Sequence, residues 1–168
     1  MSDVVSIELL LDDASEAAVR ADWERLRAAG HSSLAAHTAP SNRPHVTLLV
    51  RPALAPVAFG EALALLPVAL TLAEPLVFRH GDRGVLARRV MPTEELRRLH
   101  EAVHAAVPPG VDAPHTAPGD WTPHVTLARR VRLDALDDAL RLLGPERAGT
   151  GAALRRWDSA TRTVTPIR

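Results

Sequence analysis

Apolar residues recur along the chain in short strand-like runs, separated by stretches whose apolar positions fall three and four apart. VVSIELLL, residues 4–11, is aliphatic and β-branched and predicts a buried strand. A helix to about residue 29 follows, with Asp13 or Ser15 as its cap, Val19, Trp23 and Leu26 on one face and Gly30 as its stop. Residues 31–43 read as loop, and a strand over 45–50 begins after Pro44. Pro56 opens a short helix ending near residue 66, and VALTLAEP is the next strand. LVFRH and GVLARRV flank a GDRG turn as a hairpin. Thr93, with Glu94 and Glu95 behind it, starts a helix to about residue 106. A Pro/Gly-rich loop, VPPGVDAPHTAPGDWT, leads into another strand. Apolar positions 133, 136, 140 and 143 then mark a helix stopped by Gly144 and Pro145, and two closing strands, 152–157 and 162–167, pair across DSAT. The mixture is α+β, two lobes within one domain spanning 1–168.

Composition narrows the chemistry. With 168 residues, 46% of them hydrophobic, the chain can bury a sizeable core. It has no cysteine, so disulfides and thiolate catalysis are excluded and a reducing compartment is compatible. All 20 basic residues are arginine, which removes a lysine nucleophile. The formal net charge of zero argues against tracking along extended nucleic acid but leaves room for a small anion in a local pocket. The N-terminal apolar run lacks a basic flank and is too short to span a bilayer, so a soluble cytoplasmic protein with no membrane partner is expected.

The pentapeptide PHVTL occurs at 44–48 and again at 123–127. Side chains alternate along a strand, so His45 and Thr47 share one face, as do His124 and Thr126, about 7 Å apart along each strand. Val46, Leu48, Val125 and Leu127 take the opposite, core-facing side. Packing gives no reason to repeat a histidine, since valine or isoleucine fills such a place better. Two imidazoles titrating near neutral pH can serve as one base and one acid, the pair that displacement at phosphorus needs. Threonine hydroxyls can hold the phosphoryl oxygens. This scheme needs neither metal nor other cofactor.

The two His-apolar-Thr-apolar tetrads, HVTL at 45–48 and at 124–127, resemble the signature of the 2H phosphoesterase superfamily, and within it the branch of 2′-5′ RNA ligase-like proteins and RNA 2′,3′-cyclic phosphodiesterases. The resemblance extends to the early strand, the tetrad spacing and the closing hairpin after RRWD. It implies a bilobal α+β fold with pseudo-two-fold symmetry, antiparallel-rich sheets around a central cleft and helices outside. It also implies His45 and His124 as the acid/base pair and Thr47 and Thr126 as phosphate-holding hydroxyls. The expected reaction is hydrolysis of a 2′,3′-cyclic phosphate or 2′-5′ phosphodiester at a nucleotide or RNA terminus, with 2′-5′ ligation as its reverse. A nucleotide- or RNA-end-binding protein without turnover is the alternative. Trp121 is a candidate for stacking on a base, with packing of this loop tryptophan on the core as the equal alternative. Arg51 and Arg130 extend the histidine faces by parity, but about 20 Å away, so they read as solvated strand ends ahead of phosphate contacts, and Arg129 joins that face if a bulge intervenes.

HEAVH, residues 100–104, matches the zinc-binding pattern H-E-x-x-H of metalloproteases. The longer pattern breaks at Val107 and Gly110, and Glu146 is the sole glutamate far enough downstream to complete a site. With Leu96, Leu99 and Val103 as the buried stripe, His100 falls at its edge and His104 toward solvent, which makes the helix a solvated flank.

Overall fold

The computed structural model of the chain describes residues 2–168. Strand β1 (Val5–Leu11) turns Ile7, Leu9 and Leu11 into the core and Ser6, Glu8 and Leu10 to its other face, and every one of its residues is buried. Asp12, not Asp13 or Ser15, caps helix α1 (Asp13–Ala28): its Oδ1 accepts from the Ser15 amide at 2.9 Å, placing Asp13 and Glu16 at the positive end of the helix. Val19, Trp23 and Leu26 bury the predicted face, and Gly30 leaves the helix with φ near 81°. Strand β2 (His45–Arg51) follows. The helix predicted from Pro56 is confined to α2 (Gly60–Ala64), anchored by buried Phe59 and without a side-chain cap.

VALTLAEP and LVFRH form one strand, β3 (Val68–His80), and not two. Pro75 does not end it, because the pairing register breaks between Leu72 and Pro75 where the strand changes partners, and a proline is tolerated at such a break. Strand β4 (Arg83–Val90) completes the hairpin. Helix α3 (Glu94–Ala105) is capped by Thr93, whose hydroxyl accepts from the Leu96 amide. The Pro/Gly-rich loop contains a small hairpin of its own, β5 (Thr116–Ala117) and β6 (Asp120–Trp121). After β7 (His124–Arg132) the predicted helix divides into a 3-10 turn, Leu133–Ala135, and α4 (Leu136–Arg141), neither with a side-chain cap. Strand β8 (Arg147–Asp158) starts five residues before the expected position and is followed by β9 (Thr163–Ile167).

The main sheet is antiparallel throughout, in the order β2-β1-β8-β3-β4-β7, with β9 on the second half of β8. That order reads alike from both ends. Each lobe places its tetrad strand outermost, β2 in one and β7 in the other. The lobes join where the first half of β8 pairs with the first half of β3. β2 and β7 stand at opposite ends of the order yet approach within 8 Å, Cα to Cα, so the sheet folds back and brings the two tetrads together. The helices cover the outside, α1 through Trp23 and Leu26, α3 through Leu96, Leu99 and Val103. No helix among the described residues is long and apolar enough to cross a membrane.

Candidate active site

Both tetrads obey the strand alternation: His45, Thr47, His124 and Thr126 are half-buried on one face, while Val46, Leu48, Val125 and Leu127 are fully buried on the other. The alternation then breaks at the same point in each copy. Thr47 opposes Glu8 and Leu49 opposes Ile7, which leaves Leu48 as an extra residue. Thr126 opposes Ala87 and Ala128 opposes Leu86, which leaves Leu127 as an extra residue. Each tetrad therefore ends in a β-bulge, which reverses the parity of everything after it and sharpens the local twist.

The bulges redirect the arginines. Arg129 now shares the face of His124 and Thr126 and lines the cleft. Arg51 and Arg130, expected on the histidine faces, are turned away from it. Arg51 is buried, donating to Asp112 at 2.8 Å and to the Pro108 carbonyl, and Arg130 is exposed beyond a second register shift, with φ near 57°.

The cleft, about 490 Å³, is lined by His45, Thr47, Thr126 and Arg129 together with Glu8 and Arg155. His124 stands two residues along the same strand face from Thr126, with the Phe78 ring tilted against it at 4.8 Å between centroids. His45 Nδ1 is 2.7 Å from the Arg43 carbonyl and His124 Nδ1 is 2.7 Å from the Thr122 carbonyl, in each case two residues upstream. A carbonyl only accepts, so Nδ1 carries hydrogen in both rings and Nε2 is left for chemistry. Burial pushes the His124 imidazole below its ordinary pKa. The Thr122 carbonyl works against this, and the charge of the nearby His45 adds to it. Burial thus favours the neutral ring at His124, the form that can accept a proton.

Sequence reasoning missed the floor of this cleft. Glu8 is buried, accepts from Ser6 Oγ at 2.8 Å and Arg155 Nε at 2.7 Å, and stands 3.5 Å from His45 Nε2. The available signal was a serine and a glutamate at alternate positions of an otherwise aliphatic strand, together with the arginines of RRWD. A second and larger cavity, about 1110 Å³, adjoins the cleft and shares Arg43, Arg155 and Trp157 with it. Its walls are mainly apolar, from Leu10, Ala153, Val164 and Pro166.

Trp121 and HEAVH lie on the other side of β2. Trp121 Nε1 donates to the Thr47 carbonyl at 3.0 Å, and its ring stacks on His100 at 3.8 Å, so the indole is engaged by the protein. His100 is 2% exposed and not at an edge, its Nε2 donating to the Thr116 carbonyl at 2.7 Å. His104 Nε2 donates to the Leu48 carbonyl at 3.0 Å. Glu101 is exposed, and no group of three metal-ligating side chains occurs among the described residues. The helix is thus a packing element on the outer edge of β2 and not a solvated flank, since the loop carrying Trp121 closes over it.

Comparison with known proteins agrees with this architecture. The solved structure of Usb1 from Kluyveromyces marxianus superposes with a TM-score of 0.52 at 14% identity, covering 98% of this chain and 97% of that one. Kluyveromyces marxianus Usb1 with uridine monophosphate gives 0.51 at 14% identity, with 99% and 98% covered. The chain has no match among curated proteins. The family model described as the 2′-5′ RNA ligase superfamily matches residues 12–165, both tetrads included, and the chain belongs to that superfamily.

Proposed function

We propose that this chain is a phosphodiesterase of the 2H type, which hydrolyses a 2′,3′-cyclic phosphate or a 2′-5′ phosphodiester at a nucleotide or RNA end. One observation carries the reading: two tetrads on strands at opposite ends of the sheet order are brought together, each with an imidazole whose Nδ1 is tied to a carbonyl. In hydrolysis a water oxygen forms the new bond to phosphorus as the bond to the ribose oxygen breaks. One imidazole Nε2 takes a proton from the water, and the other gives a proton to the departing oxygen. Thr47 and Thr126 hold the non-bridging oxygens, and Arg129, which has no carboxylate partner among the described residues, compensates their charge. A ribose hydroxyl in place of water would reverse the reaction into ligation. The apolar groove beside the cleft suits the ribose and base of a nucleotide. The uridine monophosphate held by a protein of the same fold is a ligand of this kind.

The test is incubation with 2′,3′-cyclic nucleotides and 2′-5′-linked dinucleotides, with products resolved by isomer and in excess chelator. Turnover that survives chelation is the expected result. Binding without turnover would make the chain a nucleotide-binding protein, and loss of turnover restored by zinc would return attention to HEAVH.

A further inference from the structure

The two halves of the cleft differ opposite the tetrad histidines, where Leu10 faces His45 and Arg89, paired with Glu74, faces His124, and again opposite the threonines. Glu8 stands opposite Thr47 in the first lobe, and Ala87 stands opposite Thr126 in the second. We infer that Glu8 is a positioning residue that holds a proton on His45 and so makes His45 the acid and His124 the base, an assignment that rests on the phosphodiesterase reading above.

The geometry around the two rings is unlike. His45 has a hydrogen-bond acceptor at Nδ1, the Arg43 carbonyl, and a carboxylate oxygen, Glu8 Oε1, at an ion-pair distance of 3.5 Å from Nε2. A carboxylate beside Nε2 favours a proton there. His124 has only the Thr122 carbonyl at Nδ1, with Phe78 against its ring. Among the described residues, histidine–carboxylate contacts occur at His45, His104 and His115 and not at His124.

Glu8 is anchored, not incidental. A carboxylate buried inside a site that receives a phosphate is unfavourable unless it is paired, and Arg155 and Ser6 both donate to it. The other charged or titratable groups around the two rings are Arg155, Arg43 paired with Glu16, Arg129, His37, His124 itself and, opposite His124, Arg89 paired with Glu74. Glu8 is the single carboxylate in the described lining. When substrate arrives, the Nε2 proton passes from its place beside Glu8 to the leaving ribose oxygen as the phosphorus–oxygen bond breaks. His124 Nε2 takes the proton of the attacking water, and exchange with solvent restores both rings.

The experiment is an NMR titration of the imidazole Cε1–H signals in the full, unliganded chain, assigned with His45→Gln and His124→Gln. As pH rises, His124 should lose its proton first. In Glu8→Gln, which keeps the shape and an acceptor for Arg155, the His45 midpoint should fall measurably, while that of His124 moves little. The alkaline limb of the rate profile should move down by a similar amount. Should Glu8→Gln fail to fold, the Glu8 carboxyl carbon of the unmodified protein must respond at the His45 midpoint. The opposite order of titration, an unmoved His45 midpoint, or a silent Glu8 carbonyl would overturn the assignment. If His45 responds to Glu8 but no phosphodiester is cleaved, the pairing stands and the phosphodiesterase reading fails.

Discussion

Trp23 Nε1 donates to the main-chain carbonyl of Thr126 at 3.1 Å, and in the other lobe Trp121 Nε1 donates to the carbonyl of Thr47 at 3.0 Å. The two tryptophans come from unrelated elements, a helix in one case and a short hairpin in the other, yet each holds the backbone of a tetrad threonine directly before its bulge. A bulge leaves ladder hydrogen bonds unmade, and the indoles supply partners for the carbonyls at that point.

Trp23→Phe keeps an aromatic ring in the core but removes the donor and part of the buried indole. It should cost at least about 1–3 kcal/mol in stability through the unpaired carbonyl, with the space left adding to it. If the clamp aims Thr126, turnover should also fall about 10-fold to 100-fold through misplacement of the hydroxyl. Urea unfolding and kcat on the same sample decide: lost stability with kcat unchanged would make the clamp purely structural.

The bulges also decide between neighbouring arginines. Arg129→Ala should raise KM about tenfold or more, since a charge-assisted hydrogen bond to phosphate is worth roughly 1.5–3 kcal/mol. Arg130→Ala should leave both kcat and KM near their original values. Equal effects of the two substitutions would mean that the parity reversal after Leu127 does not set which side chain meets substrate.

These residues also mark how far the site was legible in the sequence. The faces of His45, Thr47, His124 and Thr126 follow from alternation within one strand, which is local. The bulges at Leu48 and Leu127 depend on the register of β1 and β4, so Arg51 and Arg130 were assigned to the wrong face. Glu8 and Arg155 meet across 147 positions of chain, a pairing no local pattern carries. The apolar stripe of α3 was read correctly as Leu96, Leu99 and Val103, but the burial of His100 arises from Trp121 closing over it. Likewise β3 runs through Pro75 because it changes partners there, a feature of the sheet and not of the segment.

His45 and His124 act in one transition state if the proposed mechanism holds. Either one replaced by alanine should lose at least about 10²-fold in kcat with the fold retained, and the double variant should lose far less than the product of the two. The pH profile should be bell-shaped. Its acid limb should lie below the usual imidazole range, because burial lowers the pKa of His124 and the base must be neutral. Multiplicative losses, or a flat profile with chemistry rate-limiting, would show that the two imidazoles are not an acid/base pair.

His100 ties stability to pH independently of catalysis. Burial against Trp121 lowers its pKa to about 4, with the Thr116 carbonyl acting in the opposite direction and the neighbouring His104 adding to the lowering. Unfolded, the same ring titrates near 6.5. The folded pKa is depressed, so the stability that His100 contributes is fully present above pH 6.5 and is lost as pH falls toward 4, where the unfolded chain binds a proton that the folded one refuses. From pH 7 to pH 5 this linkage amounts to about 2 kcal/mol. His100→Phe preserves an aromatic ring beside Trp121 and removes the titration. Urea unfolding of both proteins at the two pH values should therefore show a decline in the unmodified chain larger by about that amount than in the variant. Parallel declines would mean that the ring takes up its proton as readily in the folded protein as in water, and that the packing of HEAVH against β2 is looser than its hydrogen bonds to the Thr116 and Leu48 carbonyls require.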